Sequence, residues 1–168
     1  QARPGHRGSW WRAVSAFAAG YFAVWAVYGA LGAGLQVGLQ AFGVLDPMRG
    51  LAGPIGAGVL MSAGVLQFLP VRRACLRHCR NPLTYFIARW QNRPPSGFRL
   101  GLEHGAFCVG CCWAVMATAF VFGTMNLAWM AVLTVVVAAE QTLPHGERIG
   151  QVSGGLLIAG GLAMGLAA

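Results

Sequence analysis

Four stretches of this chain run for about the width of a bilayer without a single formal charge: Ala13 to Leu45, Gly50 to Val71, Gly105 to Ala139 and Ile149 to Ala168. A helix needs about 20 mostly apolar residues to cross the hydrocarbon core, and inside that core only structures that satisfy every backbone polar group themselves survive. The chain is therefore expected to be an all-α, polytopic membrane helix bundle forming one domain over residues 1–168. Composition agrees: 57% of residues are hydrophobic and 10% charged, against about 25% charged in an ordinary soluble domain. The third stretch is too long for one pass. As a single helix it would extend about 50 Å, against a core of about 30 Å. A break near Gly123-Thr124-Met125-Asn126 resolves this and gives five expected spans, at about 13–40, 51–70, 101–122, 127–143 and 149–168.

All twelve basic residues are arginine. With these spans, Arg3, Arg7, Arg12, the seven arginines from Arg72 to Arg99, and Arg148 fall on one side, and Arg49 alone falls on the other. Basic residues accumulate on the cytoplasmic side, so the N-terminus is expected inside and the C-terminus outside. The net charge of +8 then reports topology. A nucleic-acid role is not expected, because the arginines are interrupted by spans and lack a soluble domain to carry them. Gln1 is not an initiator residue and the first dozen residues lack the apolar core of a signal peptide, so the natural protein is expected to begin earlier than Gln1, with upstream spans left open.

The run HGAFCVGCCW carries soft metal ligands into the third span. At about 100° per residue, His104, Cys108, Cys111 and Cys112 fall within an arc of roughly 100° on one helix face. Cys108 stands i,i+3 from Cys111 and i,i+4 from Cys112, the spacings at which helical side chains are neighbours, so three sulfurs can converge on one ion. Thiolates favour Cu(I) and Zn(II), and imidazole suits both. The competing reading is that these cysteines simply pack, as small apolar residues do.

A second cluster, Cys75, His78 and Cys79, lies in the polar loop expected over residues 72–99, where a short helical turn ended by Pro82 would present both sulfurs on one side. A disulfide there is disfavoured on a reducing face, and an arginine-rich interfacial turn with incidental cysteines is the alternative. If spans three and four form an antiparallel hairpin, Glu140 comes level with position 109, beside the cysteines. It is a candidate oxygen ligand, an acceptor for the His104 ring proton, or a proton acceptor as thiols take up metal; pairing with an arginine is the other reading. Gln141 and His145 lie on the same side, His145 as a loop residue. Met116, Met125 and Met130 extend the soft character outward as candidate thioether ligands or as gap-fillers. Gly150, Gly154, Gly155, Gly160 and Gly161, with Gly32, Gly34 and Gly38 in span one, read as close-packing faces between membrane helices.

The runs ACLRHCRNP, GLEHGAFCVGCCWAVM, GTMNLAWM and AEQTLP closely resemble a bacterial family of metal-binding integral membrane proteins, in order from about Phe17 to Ile149. That family includes an accessory protein of copper delivery to a polyphenol oxidase. The resemblance implies copper handling, a place in a bacterial cytoplasmic (inner) membrane, and site candidacy for Cys75, Cys79, His104, Cys108, Cys111, Cys112 and Glu140. Family members look longer at the N-terminus, with a methionine-rich hydrophobic segment that this chain lacks.

The function expected from these readings is that of a membrane accessory protein that binds Cu(I) and hands it to a copper-dependent client, with zinc or haem as other cargoes. No nucleophile, base and orienting group occur together, so an enzyme is not expected. The other classes are a structural or assembly subunit of a larger membrane complex, a thiol redox protein, and a haem or pigment binder using His104. The lipid bilayer is the expected surrounding, and an oligomer is compatible with the glycine faces.

Overall fold

In a computed structural model, the described residues are 6–46, 50–51, 53–80 and 97–167. Among them the regular structure is helical: α1 (His6–Ala41), α2 (Gly53–Leu66), α3 (Pro70–Arg80), α4 (Gly97–Ala117), α5 (Ala119–Phe122), α6 (Leu127–Thr142) and α7 (Gly146–Leu166). Three of these runs are long and apolar enough to cross a membrane: Trp11–Ala41, Gly97–Phe122 and Gly146–Leu166. A fourth arises if α2 and α3, which bend by 68° at their junction, count as one span. The shorter apolar α6 has 16 residues. Large apolar side chains such as Phe22, Leu31, Val37, Val135 and Leu156 face outward, the reverse of a soluble bundle.

Glycine decides how the helices approach. Gly97, Gly101 and Gly105 repeat every four residues along one face of α4 and meet α1: Gly97 faces the Ala13 carbonyl, Gly101 the Phe17 carbonyl and Gly105 Val24. Gly20 of α1 answers by facing the Phe98 carbonyl. A side chain at Gly20 or Gly101 would overlap backbone, so the two helices pack in parallel at small-residue distance. The other close pair is antiparallel. Gly64 of α2 lies against the Gly154 carbonyl of α7, and Gly161 against the Ala57 carbonyl.

The packing expected of Gly32, Gly34 and Gly38 is not found: a Cβ added at any of them meets nothing within 4 Å, and the same holds for Gly155 and Gly160. The glycine contacts of α1 with α4 fall at Ala13, Phe17, Gly20 and Val24, while Gly32, further along α1, lines a groove of about 750 Å³ between α1, α2 and α4.

Between α5 and α6 the chain reverses at Gly123, whose φ of 90° is a backbone conformation that suits glycine. Asn126 then caps α6, its side chain accepting from the Trp129 N–H at 3.1 Å, one of the donors a helix start leaves free. Phe122 and Trp129 close over this turn with ring centroids 3.9 Å apart.

In the polar segment expected over 72–99, the short helical turn is a helix over residues 70–80, and residues 97–99 already belong to α4. Pro70 opens α3 at the position where a missing N–H costs nothing, and α3 runs back antiparallel along α4. His78 stacks on Phe107 with centroids 4.7 Å apart, and Cys75 Sγ lies 3.9 Å from where a Cβ on Gly110 would stand. Residues 81–96, with Pro82, Arg89 and Arg93, lie outside the described residues, as do Arg3 and Arg49.

Candidate metal centre

Where α3 lies on α4, sulfurs from two distant parts of the sequence meet. Cys79 Sγ stands 3.4 Å from Cys108 Sγ and 3.8 Å from Cys111 Sγ. At metal–sulfur distances of about 2.3 Å, two thiolates on one ion stand about 3.8 Å apart in a tetrahedral site and about 4.6 Å apart in a linear one. The observed separations are close to the first value, so opening by a few tenths of an ångström would admit an ion. All five cysteines are free thiols. Among the described residues no three His, Cys, Asp or Glu side chains are already gathered as a finished cage; the centre is a cluster of thiols in contact.

The periodicity of α4 explains its share. Cys108, Cys111 and Cys112 are all buried. Cys111 and Cys112 both turn their thiols back to the Cys108 carbonyl, each at 3.1 Å. Gln141 of α6 adds a polar contact, its Nε2 lying 4.0 Å from Cys111 Sγ. Cys75 lies on α3 one turn before Cys79 but outside the Cys79, Cys108, Cys111 contacts. His104 sits one turn before Cys108 on α4, its ring between those of Phe17 and Tyr21 of α1, at centroid distances of 5.8 and 6.0 Å. Met116 and Met130 line the groove between α1, α2 and α4, while Met125 is exposed.

Glu140 is 2% exposed and is held by two partners. Arg72 donates to its Oε2 in a buried ion pair, and Ser153 Oγ donates to Oε1 at 3.2 Å. Arg72 also donates from Nε to the Cys111 carbonyl at 3.2 Å, so one guanidinium joins the carboxylate to the cysteine helix. Gln67 extends the chain by donating from Nε2 to Ser153 Oγ at 3.3 Å. Sequence reasoning missed Arg72, Gln67 and Ser153 as parts of this region. A signal was present for Arg72: Glu140 is the one carboxylate between Glu103 and Glu147, and a carboxylate in an apolar helix calls for a cation.

The cluster offers soft sulfur donors from buried Cys108 and Cys111 and half-buried Cys79, which suits holding a thiophilic ion. Comparison with curated proteins and with solved structures finds no match. A family model, PpoB2, described as copper chaperone, matches residues 2–164. Nearly the whole chain is covered by that match, and the chain belongs to the PpoB2 family of copper chaperones.

Proposed function

We propose that this protein is a membrane-embedded, non-catalytic accessory protein that binds Cu(I) between α3 and α4 and passes it to a copper-dependent client. The observation that carries the reading is the meeting of Cys79 with Cys108 and Cys111 at 3.4 and 3.8 Å across two helices. Thiolates select Cu(I) among biological copper states, and the family supplies copper as the cargo.

Transfer by ligand exchange follows from where the sulfurs sit. Cys75 and Cys79 belong to a short helix that is joined to α2 through a 68° bend and carries a polar outer face with Arg73 and Arg77. These two thiols are the entry or exit ligands, and Cys108, Cys111 and Cys112 hold the ion deeper in the apolar bundle. His104 completes the route from the α1 side. Glu140 acts through Arg72 on the backbone of Cys111. Met116 and Met130, in the groove beyond Cys112, form a thioether path toward the other end. Exchange between thiolates needs no redox step.

The membrane reading is supported by the three helices long enough to span and by their outward apolar side chains. Five passes, with α6 and the bent α2 among them, and a cytoplasmic N-terminus accord with the arginines: Arg12, Arg77, Arg99 and Arg148 all lie near one end, at the starts of α1, α4 and α7 and the close of α3.

The test is elemental analysis of protein purified in detergent under reducing, anaerobic conditions and loaded with Cu(I). About one copper per chain is expected. Cys108→Ser combined with Cys111→Ser removes it, and Cys79→Ser weakens retention against a competing chelator. Unchanged copper in the double variant would overturn the assignment.

A further inference from the structure

Arg72 ties together the elements that build the thiol cluster. Its Nε donates to the Cys111 carbonyl of α4 at 3.2 Å, while its NH2 pairs with Glu140 of α6. Glu140 is held in turn by Ser153 of α7 at 3.2 Å, and Ser153 by Gln67, just after α2, at 3.3 Å. The guanidinium lies over Gly150 of α7, where an added Cβ would come within 2.5 Å of NH1. Gly150 therefore leaves the space that the arginine fills.

The register of α3 turns this anchor into a positioning device. Arg72 and Cys79 are seven residues apart, which is about two helical turns and nearly the same face. Leu76, between them on that face, is 1% exposed. Fixing Arg72 on the Cys111 carbonyl therefore sets both the rotation and the height of α3, and brings Cys79 onto Cys108 and Cys111. An arginine is suited to this because its rigid planar fork can donate to a carbonyl and a carboxylate at once, which a lysine ammonium on a flexible stem does less well. The other described arginines of α3 lie elsewhere: Arg73 is on the outer side, and Arg77 pairs with Glu147 at 3.3 Å in an exposed contact.

We infer that Arg72 is the positioning residue of the thiol centre, a buried clamp that holds α3 in the register at which Cys79 joins Cys108 and Cys111. This deepens the copper-binding reading and rests on it for its purpose, but the clamp itself is testable without metal.

The experiment uses full-length, metal-free protein in which Cys75, Cys111 and Cys112 are serine, leaving Cys79 and Cys108 as the thiols. Disulfide formation between them is followed by mass spectrometry after addition of diamide. With Arg72 in place the bridge forms readily. Arg72→Met slows it at least tenfold, Arg72→Lys gives an intermediate rate, and Gly150→Ala, which crowds the guanidinium without removing any charge, slows it as well. In the protein with all five cysteines, Arg72→Met lowers the ultraviolet Cu(I)–thiolate band to the level of Cys79→Ser, and adding Arg72→Met to Cys79→Ser lowers it no further. Crosslinking at the unaltered rate in both Arg72→Met and Gly150→Ala would overturn the clamp, whatever copper does. Rapid, Arg72-dependent crosslinking in a protein that binds no copper would leave the clamp standing and overturn the copper reading instead.

Discussion

A buried charge is tolerated only with its partner, and Glu140 and Arg72 show what that dependence looks like inside an apolar bundle. Removing one partner of such a pair leaves an uncompensated charge and typically costs about 3 to 5 kcal/mol, whereas replacing both with apolar groups is often close to neutral. Glu140→Leu alone is accordingly expected to destabilise the protein by about 3 kcal/mol. The double variant Arg72→Met/Glu140→Leu should recover most of that loss while remaining impaired in copper retention. Equilibrium unfolding in mixed detergent micelles, run as a double-mutant cycle, checks both parts. Additive losses would mean that the two side chains are not energetically coupled. The sequence made the cysteines of α4 conspicuous because helical spacing alone aligns Cys108 with Cys111 and Cys112. It hid the partnership of Cys79 with Cys108, since no local period links positions 29 residues apart, and only the return of α3 along α4 brings them together.

Between helices, the controlling quantity is how closely backbones approach. Gly101→Ala places a methyl group against the Phe17 carbonyl, and overpacking of this kind costs about 1 to 3 kcal/mol. Gly32→Ala has open space around it and should be neutral or stabilising by up to about 1 kcal/mol, the helix-propensity difference. Thermal melts followed by tryptophan fluorescence separate the two, and equal effects would contradict the assigned α1–α4 contact. Charge-free length made the apolar helices legible, and the excess length of the third stretch marks the same Gly123–Asn126 region where the chain turns. The packing faces were harder to read. Glycines are frequent throughout the chain, and Gly32, Gly34 and Gly38 of α1, which looked like a face, meet open space, while the Gly97, Gly101, Gly105 repeat that does pack carries the same kind of signal. The arginines of residues 72–80 suggested a solvated loop. Helix α3 forms there because Pro70 starts it, while Leu76 and Arg72 are buried inward and Arg73 and Arg77 are left outward.

Across the whole molecule, α1, α4 and α7 run in one direction, with described arginines near their starts. Under the proposed orientation that end faces the cytoplasm, in line with the positive-inside tendency, and the thiols would then stand on the reducing side. Alkaline phosphatase fused after Ala168 should therefore be active, and the same enzyme fused at residue 90 silent; the reverse pattern would invert the orientation. In the proposed site the cargo would be held where the short α3 closes on α4, so that moving one element would open it. The most direct measurement of that idea is copper K-edge X-ray absorption on the Cu(I)-loaded protein beside its Cys79→Ser variant. Copper surrounded by sulfur alone, with one sulfur fewer in the variant, is the expected result. A shell dominated by nitrogen or oxygen, or one unchanged by loss of Cys79, would contradict it.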